Sequence, residues 1–408
     1  MASSASPAKA DFDIASRRLQ EGNLEEAVDI FARIFAADPK HSESVRHLGL
    51  IAHKIGNHDQ AAELIAQAIL IDPDCAEAFA DLAAVLRTLG RHEFADKALA
   101  TAAAMGHRSV GLDATPERRE IPDRWRQVQL AIVEPDNYPH AAGLSELVNA
   151  WSHALAELGS RANVMRNTFS SQGVNVVFGA HLIDTPALAE RLPANSVLVN
   201  LEQLRGSRLE AQPVYCDLLR RLPVWDHSRR NIVELRALTG NERAHRIGIG
   251  FVPQMQSIAP ALEQPTDVLF YGSINDRRRA ILSALQHAGM RVRCLYGVYG
   301  AERDRAIAEA KVVLNVHFYE DSIHEIVRTS HLLANRKAVV CECNADTEID
   351  EDMRQAVVAK PYGELVEACI ALVRDNTRRW EMERQGFDVF SRRSQSAMLA
   401  QAIAETPL

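Results

Sequence analysis

The runs DVLFYGS (267–273), RVRCLYG (291–297), VVLNVHFY (312–319) and AVVCE (338–342) are short and apolar. Between them lie stretches of helical character: Ile274–Gly289, with Arg277, Arg278 and Arg279 in its first turns, then GAERDRAIAEA (300–310), then a segment carrying Glu325 and Arg328. Short apolar strands alternating with helices of about 10–15 residues specify a parallel sheet covered on both faces. Ligands of such sheets sit outside the carboxyl ends of the strands. Those ends hold Gly272 and Ser273, Tyr296 and Gly297, His317, and Glu342. Small residues let a ligand approach the backbone, and the helix starts that follow offer free N–H groups suited to a phosphate.

Working outward, a second array of the same kind begins at Gln127. QVQLAIVEPD, RANVMRN, VNVVFGA, SVLVNLEQ, VWDH and HRIGIGFVP read as strands, with helices over HAAGLSELVNAWSHALAELG, PALAERL, EAQPVYCDLLRRL and RRNIVELRALTG. The expected fold is therefore two Rossmann-like doubly wound α/β domains, 127–255 and 256–408, joined by the proline-rich crossing Pro253–Pro265. A long helical region from Thr377 to Glu405 closes the chain.

The N-terminal part has another periodicity. Gly22, Gly56 and Gly90 are 34 residues apart, as are Ala27, Ala61 and Ala95, and Phe31, Ile65 and Leu99. A 34-residue helix–turn–helix period marks tetratricopeptide (TPR) repeats, here three units over 11–109. Such helix pairs leave a concave surface for an extended peptide or a partner helix. A purely structural or dimer-forming role for the repeats stays open, and with it a homo-oligomer. Residues 1–10 read as a disordered leader and 110–126 as a polar linker.

The composition is that of an ordinary globular protein, with net charge −8, and neither the first 110 residues (11 Lys/Arg against 16 Asp/Glu) nor the rest is basic. Nucleic acid is thereby a poor partner. No apolar run approaches the roughly 18 residues of a membrane span, and the first residues lack a signal-peptide core. Six scattered cysteines fit no zinc pattern, and the expected compartment is the cytoplasm.

FYGSINDRRRAIL, LYGVYGAERDRAIAEAKVVLNVHFYE and HEIVRTSHLLANRKAVVCE resemble the donor-binding half of bacterial GT-B glycosyltransferases, and most of all those that append it to TPR repeats. The resemblance runs from Gln127 to the C-terminus. It implies a metal-independent transferase with a nucleotide-sugar as co-substrate and no cofactor. The final helices would cross back onto the first α/β domain. The acceptor would be a polypeptide held by the TPR groove, such as a flagellin or another surface protein. A lipid-linked or capsular saccharide acceptor, or a non-catalytic adaptor with a degenerate fold, are the alternatives.

Glycosyl transfer needs neutralised diphosphate charge, a water-excluding cleft and a base for the acceptor proton. On the donor side the candidates are Gly272, Ser273, Arg278, Tyr296, Gly297, His317, Glu325 and Arg328. Glu325 resembles the acidic residue that contacts donor hydroxyls in the family. The partner glutamate expected eight positions on is absent, since Leu333 stands there. From the first domain, Glu134, His140, Glu202 and Asp226 are each chemically able to act as base, and Gly143 follows in the first loop. Asp-x-Asp pairs occur at Asp11/Asp13, Asp72/Asp74 and Asp350/Asp352, none at a strand end, so no metal is expected.

Overall fold

The computed structural model describes residues 7–89, 91–105, 121–136, 138–204, 211–261, 263–320 and 323–408. It divides into two compact units. One contains the N-terminal helices together with 259–264 and 374–381. The other contains 115–258, 265–373 and 382–408.

The first unit is built from three helix pairs: α1 (Pro7–Gln20), α2 (Leu24–Ala37), α3 (Ser42–Lys54), α4 (His58–Ile71), α5 (Ala76–Thr88) and α6 (His92–Ala104). The sequence dictates each start and stop. Gly22 takes a left-handed φ of 77° in the tight turn, and Asn23 then caps α2 by accepting the Glu26 N–H. Ala27, Ile30, Phe31 and Ile34 follow at helical spacing and are buried. In the next pair Gly56 takes φ 86° and Ala61, Ile65 and Ala68 are buried, while Asn57 at the N-cap makes no capping bond with its side chain. Residues 7–10, expected in the leader, instead form the first turn of α1, where Pro7 is tolerated because its missing N–H has no intrahelical partner. Trp380 belongs to the same unit. A Cβ at Gly22 would meet its Cη2 at 2.6 Å, and Lys54 Nζ lies 5.3 Å from its ring centre.

The second unit holds two wholly parallel sheets. The first contains β1 (Gln127–Ile132), β2 (Arg161–Arg166), β3 (Val174–Phe178), β4 (Ser196–Asn200), β5 (Val224–Asp226) and β6 (Ala244–Arg246), in the order β2-β1-β3-β4-β5-β6. The second contains β7 (Thr266–Tyr271), β8 (Val292–Leu295), β9 (Ala310–Asn315), β10 (Ala338–Glu342) and β11 (Val358–Lys360), in the order β11-β10-β9-β7-β8. β3, β4 and β10 are buried at every position, as expected for mostly apolar strands covered on both faces, and Asn175, Ser196, Asn200 and Glu342 are buried with them. One core cluster runs through both sheets and the last helix, from Trp151 and Val176 through Leu269 and Val339 to Leu399 and Ile403.

Two local features differ from the reading of the sequence. Trp125, assigned to the linker, is fully buried and stacks on Trp225 at 5.5 Å, so the core begins before β1. The C-terminal helical region is two helices, Asn376–Ser391 and Gln395–Glu405. Between them the backbone of Arg393 and Gln395 bonds both ways with Phe251, at 2.6 and 3.1 Å. The final helix then packs on the helix Ser145–Glu157, and Trp225 Nε1 donates to Thr406 Oγ1 at 2.8 Å.

Candidate functional site

Both sheets share one winding. Numbered within its own domain, each begins 2-1-3-4-5, so strand order reverses between the first and third strands, β1/β3 and β7/β9. In open α/β sheets that reversal is where a ligand finds a crevice.

The carboxyl edges of the two sheets are joined at two places. On one flank, the loop after β1 meets the loop after β8. His140 Nδ1 and the Tyr299 hydroxyl share a hydrogen bond of 2.5 Å, and Arg303 Nη2 donates to Glu146 Oε1 at 2.7 Å. On the other flank, the segment after β5 meets the loop after β10. The Glu348 carboxylate accepts from Ser228 Oγ (2.6 Å), Arg229 N (2.7 Å) and Arg230 N (3.1 Å), capping the helix Arg229–Thr239. Arg246 Nη2 adds a bond of 2.5 Å to Asp350. The strands lying between these flanks are β3 and β4 in one sheet and β7 and β9 in the other. Their carboxyl ends therefore face a cleft clasped on both sides.

At the end of β7, Gly272 has φ 133°, and a Cβ there would lie 3.0 Å from Arg328 Nη2. The missing side chain lets that guanidinium reach the strand end. Arg328 Nη1 donates to Asn315 Oδ1 at 2.7 Å and lies 2.6 Å from Glu325 Oε2, and the guanidinium carbon is 5.1 Å from the Tyr271 ring centre. Glu325 is the N-cap residue of the helix Ile326–Ala334 rather than an interior position. Its other oxygen accepts Arg278 Nη2 at 2.9 Å.

Arg278 is committed internally. Its Nε donates to the Val316 carbonyl and its Nη1 to that of Ser273, and Phe270 and Phe318 lie on either side of it at 5.3 and 5.2 Å. Only 4% of its side chain is exposed, against 18% for Arg328. Of the two, Arg328 is the more exposed. Arg277 forms a fork with the fully buried Glu342 and lies 4.0 Å over the Tyr362 ring. Glu342 also accepts His317 N at 3.0 Å.

β9 ends at Asn315, so His317 lies two residues beyond the strand. It is fully buried, and among the described residues neither ring nitrogen has a hydrogen-bond partner. Burial holds its pKa below the usual histidine value, against the pull of Glu342. Ser273 is exposed, as are Tyr296 and Gly297 in the turn after β8.

The first-domain candidates separate. His140 sits in the clasp, its Nε2 3.5 Å from the Tyr296 hydroxyl. Glu134 is paired with Arg166, and Asn167 holds its backbone at both N–H and carbonyl. Asp226 is fully buried, with Asn200, Asn231 and Ser228 N donating to it. Burial pushes its pKa up to about 7. It organises the ends of β4 and β5 and presents no surface to a ligand. Glu202 lies 3.6 Å from His181 at the mouth of a small pocket beside β4.

The sequence reading missed His181, Asn315, Tyr299 and the Glu146–Arg303 pair. Gly179, directly after the apolar VNVVF, was the available pointer to His181. Among the described residues no group of three or more His, Cys, Asp or Glu is placed to hold a metal ion. Asp350 and Asp352 pair with Arg393, at 2.9 and 2.5 Å. No helix among the described residues is long and apolar enough to cross a membrane.

Residues 18–86 match the family model for the tetratricopeptide repeat. The N-terminal helices are TPR repeats. Over 190 residues the chain aligns at 27% identity with uncharacterized protein L140 of Acanthamoeba polyphaga mimivirus, covering 43% of this chain and 58% of that protein. The chain spans between 12% and 58% of the length of the curated relatives it matches. Among solved structures, the Thermobaculum terrenum O-GlcNAc transferase aligns over 98% of this chain and 96% of its own, at 16% identity and a TM-score of 0.33. Anabaena HepE in complex with UDP and glucose aligns over 68% of this chain and 98% of its own, at 13% identity and a TM-score of 0.47.

Proposed function

We propose that the chain is a GT-B glycosyltransferase that moves a sugar from a nucleotide-sugar to a polypeptide bound by the TPR repeats. The observation carrying this reading is the clasped cleft. The reversal point of the second sheet, with Arg328 and Gly272, confronts the carboxyl ends of β3 and β4. In this reading the backbone at Gly272 and Ser273 and the Arg328 guanidinium receive the diphosphate. Glu325 orients Arg328 and accepts from donor hydroxyls. Tyr296 and Gly297 flank the nucleoside. His317, fully buried behind the strand end, is assigned no contact with the donor. No metal is assigned a role, because fixed arginines supply the positive charge. The setting proposed is the bacterial cytoplasm, and the acceptor a flagellin or another surface protein.

The test is thermal stability of the purified protein with UDP, GDP, CMP and dTDP. A ligand at about 100 times its dissociation constant stabilises by roughly 2.7 kcal/mol, a shift of about 2–4 °C per kcal/mol for a unit of this size. One nucleotide should stand out, and Arg328→Ala should abolish its effect. A melting curve indifferent to all four would sink the reading. One feature favours a second reading, a non-catalytic adaptor: Arg277, Arg278 and Glu325 all have internal partners. That reading predicts nucleotide binding without turnover on any acceptor.

A further inference from the structure

Beside the cleft, the first domain carries a pocket of about 190 Å³, lined by His181, Glu202, Gln203, Leu204, Gln212 and Tyr215. Its walls come from the segments following β3 and β4, the two strands that lie between the clasps. The floor is rigid. Tyr215 is fully buried and donates to Asn200 Oδ1 at 2.8 Å, and Asn200 donates to Asp226 at 2.5 Å. Asn200 and Asn231 both donate to the Glu202 carbonyl at 2.8 Å, fixing the backbone from which that carboxylate projects.

Burial first, and then the Glu202 charge, raise the pKa of Tyr138. The Tyr138 ring is 5.3 Å from that of His140, which in turn bonds Tyr299 across the cleft. At the rim, His181 Nε2 lies 3.6 Å from Glu202 Oε1, with the His181 ring edge-on to Tyr215 at 6.2 Å. An imidazole held beside a carboxylate, over a floor of fixed hydroxyl and amide groups, is suited to an uncharged hydroxyl and to its proton.

Building on the transferase reading above, we propose that this pocket is the acceptor subsite and that His181, held by Glu202, accepts the proton of the acceptor hydroxyl. In the step, the acceptor O–H bond breaks and its proton moves to the imidazole. The oxygen's electron pair forms the new bond to the anomeric carbon. The bond from that carbon to the diphosphate oxygen breaks, and its electrons leave on the nucleoside diphosphate. Glu202, chosen from sequence as a base in its own right, becomes the carboxylate beside the histidine, 3.6 Å from its Nε2.

The experiment uses the full chain and water as surrogate acceptor. Release of nucleoside diphosphate from UDP-glucose, GDP-mannose and dTDP-glucose is followed against pH, alongside melting with the free nucleotides. His181→Asn is expected to keep the nucleotide-induced shift and to slow release by about 100-fold or more, the range for loss of a general base. Glu202→Gln should move the acid limb of the wild-type rate profile to lower pH, since the neighbouring carboxylate raises imidazole basicity. A merely structural role would leave that limb in place. Unchanged release in His181→Asn, with nucleotide binding intact, overturns the proton-acceptor assignment alone. Absence of any nucleotide shift in the wild type overturns the transferase reading and this assignment with it.

Discussion

Replacing Glu348 with alanine tests the clasp that bounds the cleft. The side chain accepts three hydrogen bonds at the start of the helix Arg229–Thr239, two of them from backbone N–H groups. Loss of a helix cap costs about 0.5–2 kcal/mol, and a hydrogen bond to a charged group contributes about 1.5–3 kcal/mol net when well buried. The carboxylate is only half-buried, so screening brings the total to roughly 2–3 kcal/mol. For a unit of this size that is a fall in Tm of about 5–10 °C. The pH dependence supplies an internal control. Its hydrogen bonds, opposing the effect of burial, hold the folded pKa of Glu348 below the usual glutamate value. A depressed carboxylate stabilises above its unfolded pKa and loses that effect as pH falls through the folded value. The Tm deficit of Glu348→Ala should thus be full at pH 7 and narrow progressively below about pH 4.3. Differential scanning calorimetry of both proteins from pH 7 to pH 3.5 measures this. Equal Tm values at pH 7, or a deficit that does not narrow on acidification, would refute the clasp as described.

Three further outcomes follow from particular contacts. Glu342→Ala strips the partner from Arg277 in a buried fork and should cost about 3–5 kcal/mol by chemical denaturation, with little change expected for an exposed control such as Glu364→Ala. Gly250→Ala would place a Cβ against the Arg393 carbonyl and 2.9 Å from Gln395 N, and overpacking against backbone should lower stability by roughly 1–3 kcal/mol. Protease clipping after Phe390 should rise in parallel, and an unchanged digestion pattern would count against the return of the chain over the first domain. His324, buried and neutral, has its pKa lowered to about 3, so the fold loses stability as pH falls from about 6.5 toward that value. His324→Gln should flatten urea-derived stability over that interval, and an identical slope would show that the imidazole does not contribute.

What was legible beforehand was whatever repeats locally. The 34-residue spacing of Gly22 and Gly56 is written in turn chemistry, and the four buried positions of α2 in helical period. The mostly apolar runs at β3, β4 and β10 likewise announced a covered parallel sheet. The side chains of the site resisted because their partners are distant in sequence. Arg278 could be read as a phosphate ligand or as a solvated residue. It is neither exposed nor free, because Phe270 on β7 and Phe318 in the segment after β9 lie against it. His140 meets Tyr299, and Glu146 meets Arg303, over separations of 159 and 157 positions that no local period encodes. Asp226 looked like a strand-end base. Asn200 and Asn231, one on the neighbouring strand and one on the following helix, surround it and remove it from solvent. His317 was placed correctly as to strand but two residues off as to its end, and that offset is the difference between a side chain facing a cleft and one sealed behind it.

The seating of Trp380 against Gly22 bears on how the protein is made. The six repeat helices are complete by Ala104, whereas the segment that closes their first turn begins at Arg374. At about 5–20 residues per second, the ribosome needs roughly 15–50 s to bridge that gap. Throughout that interval the repeats exist as a nascent body with a vacant seat at Gly22 and a whole enzyme-sized domain still unwritten. Any factor that recognises young TPR helices has its opportunity then, and loses it when the last twelfth of the chain emerges.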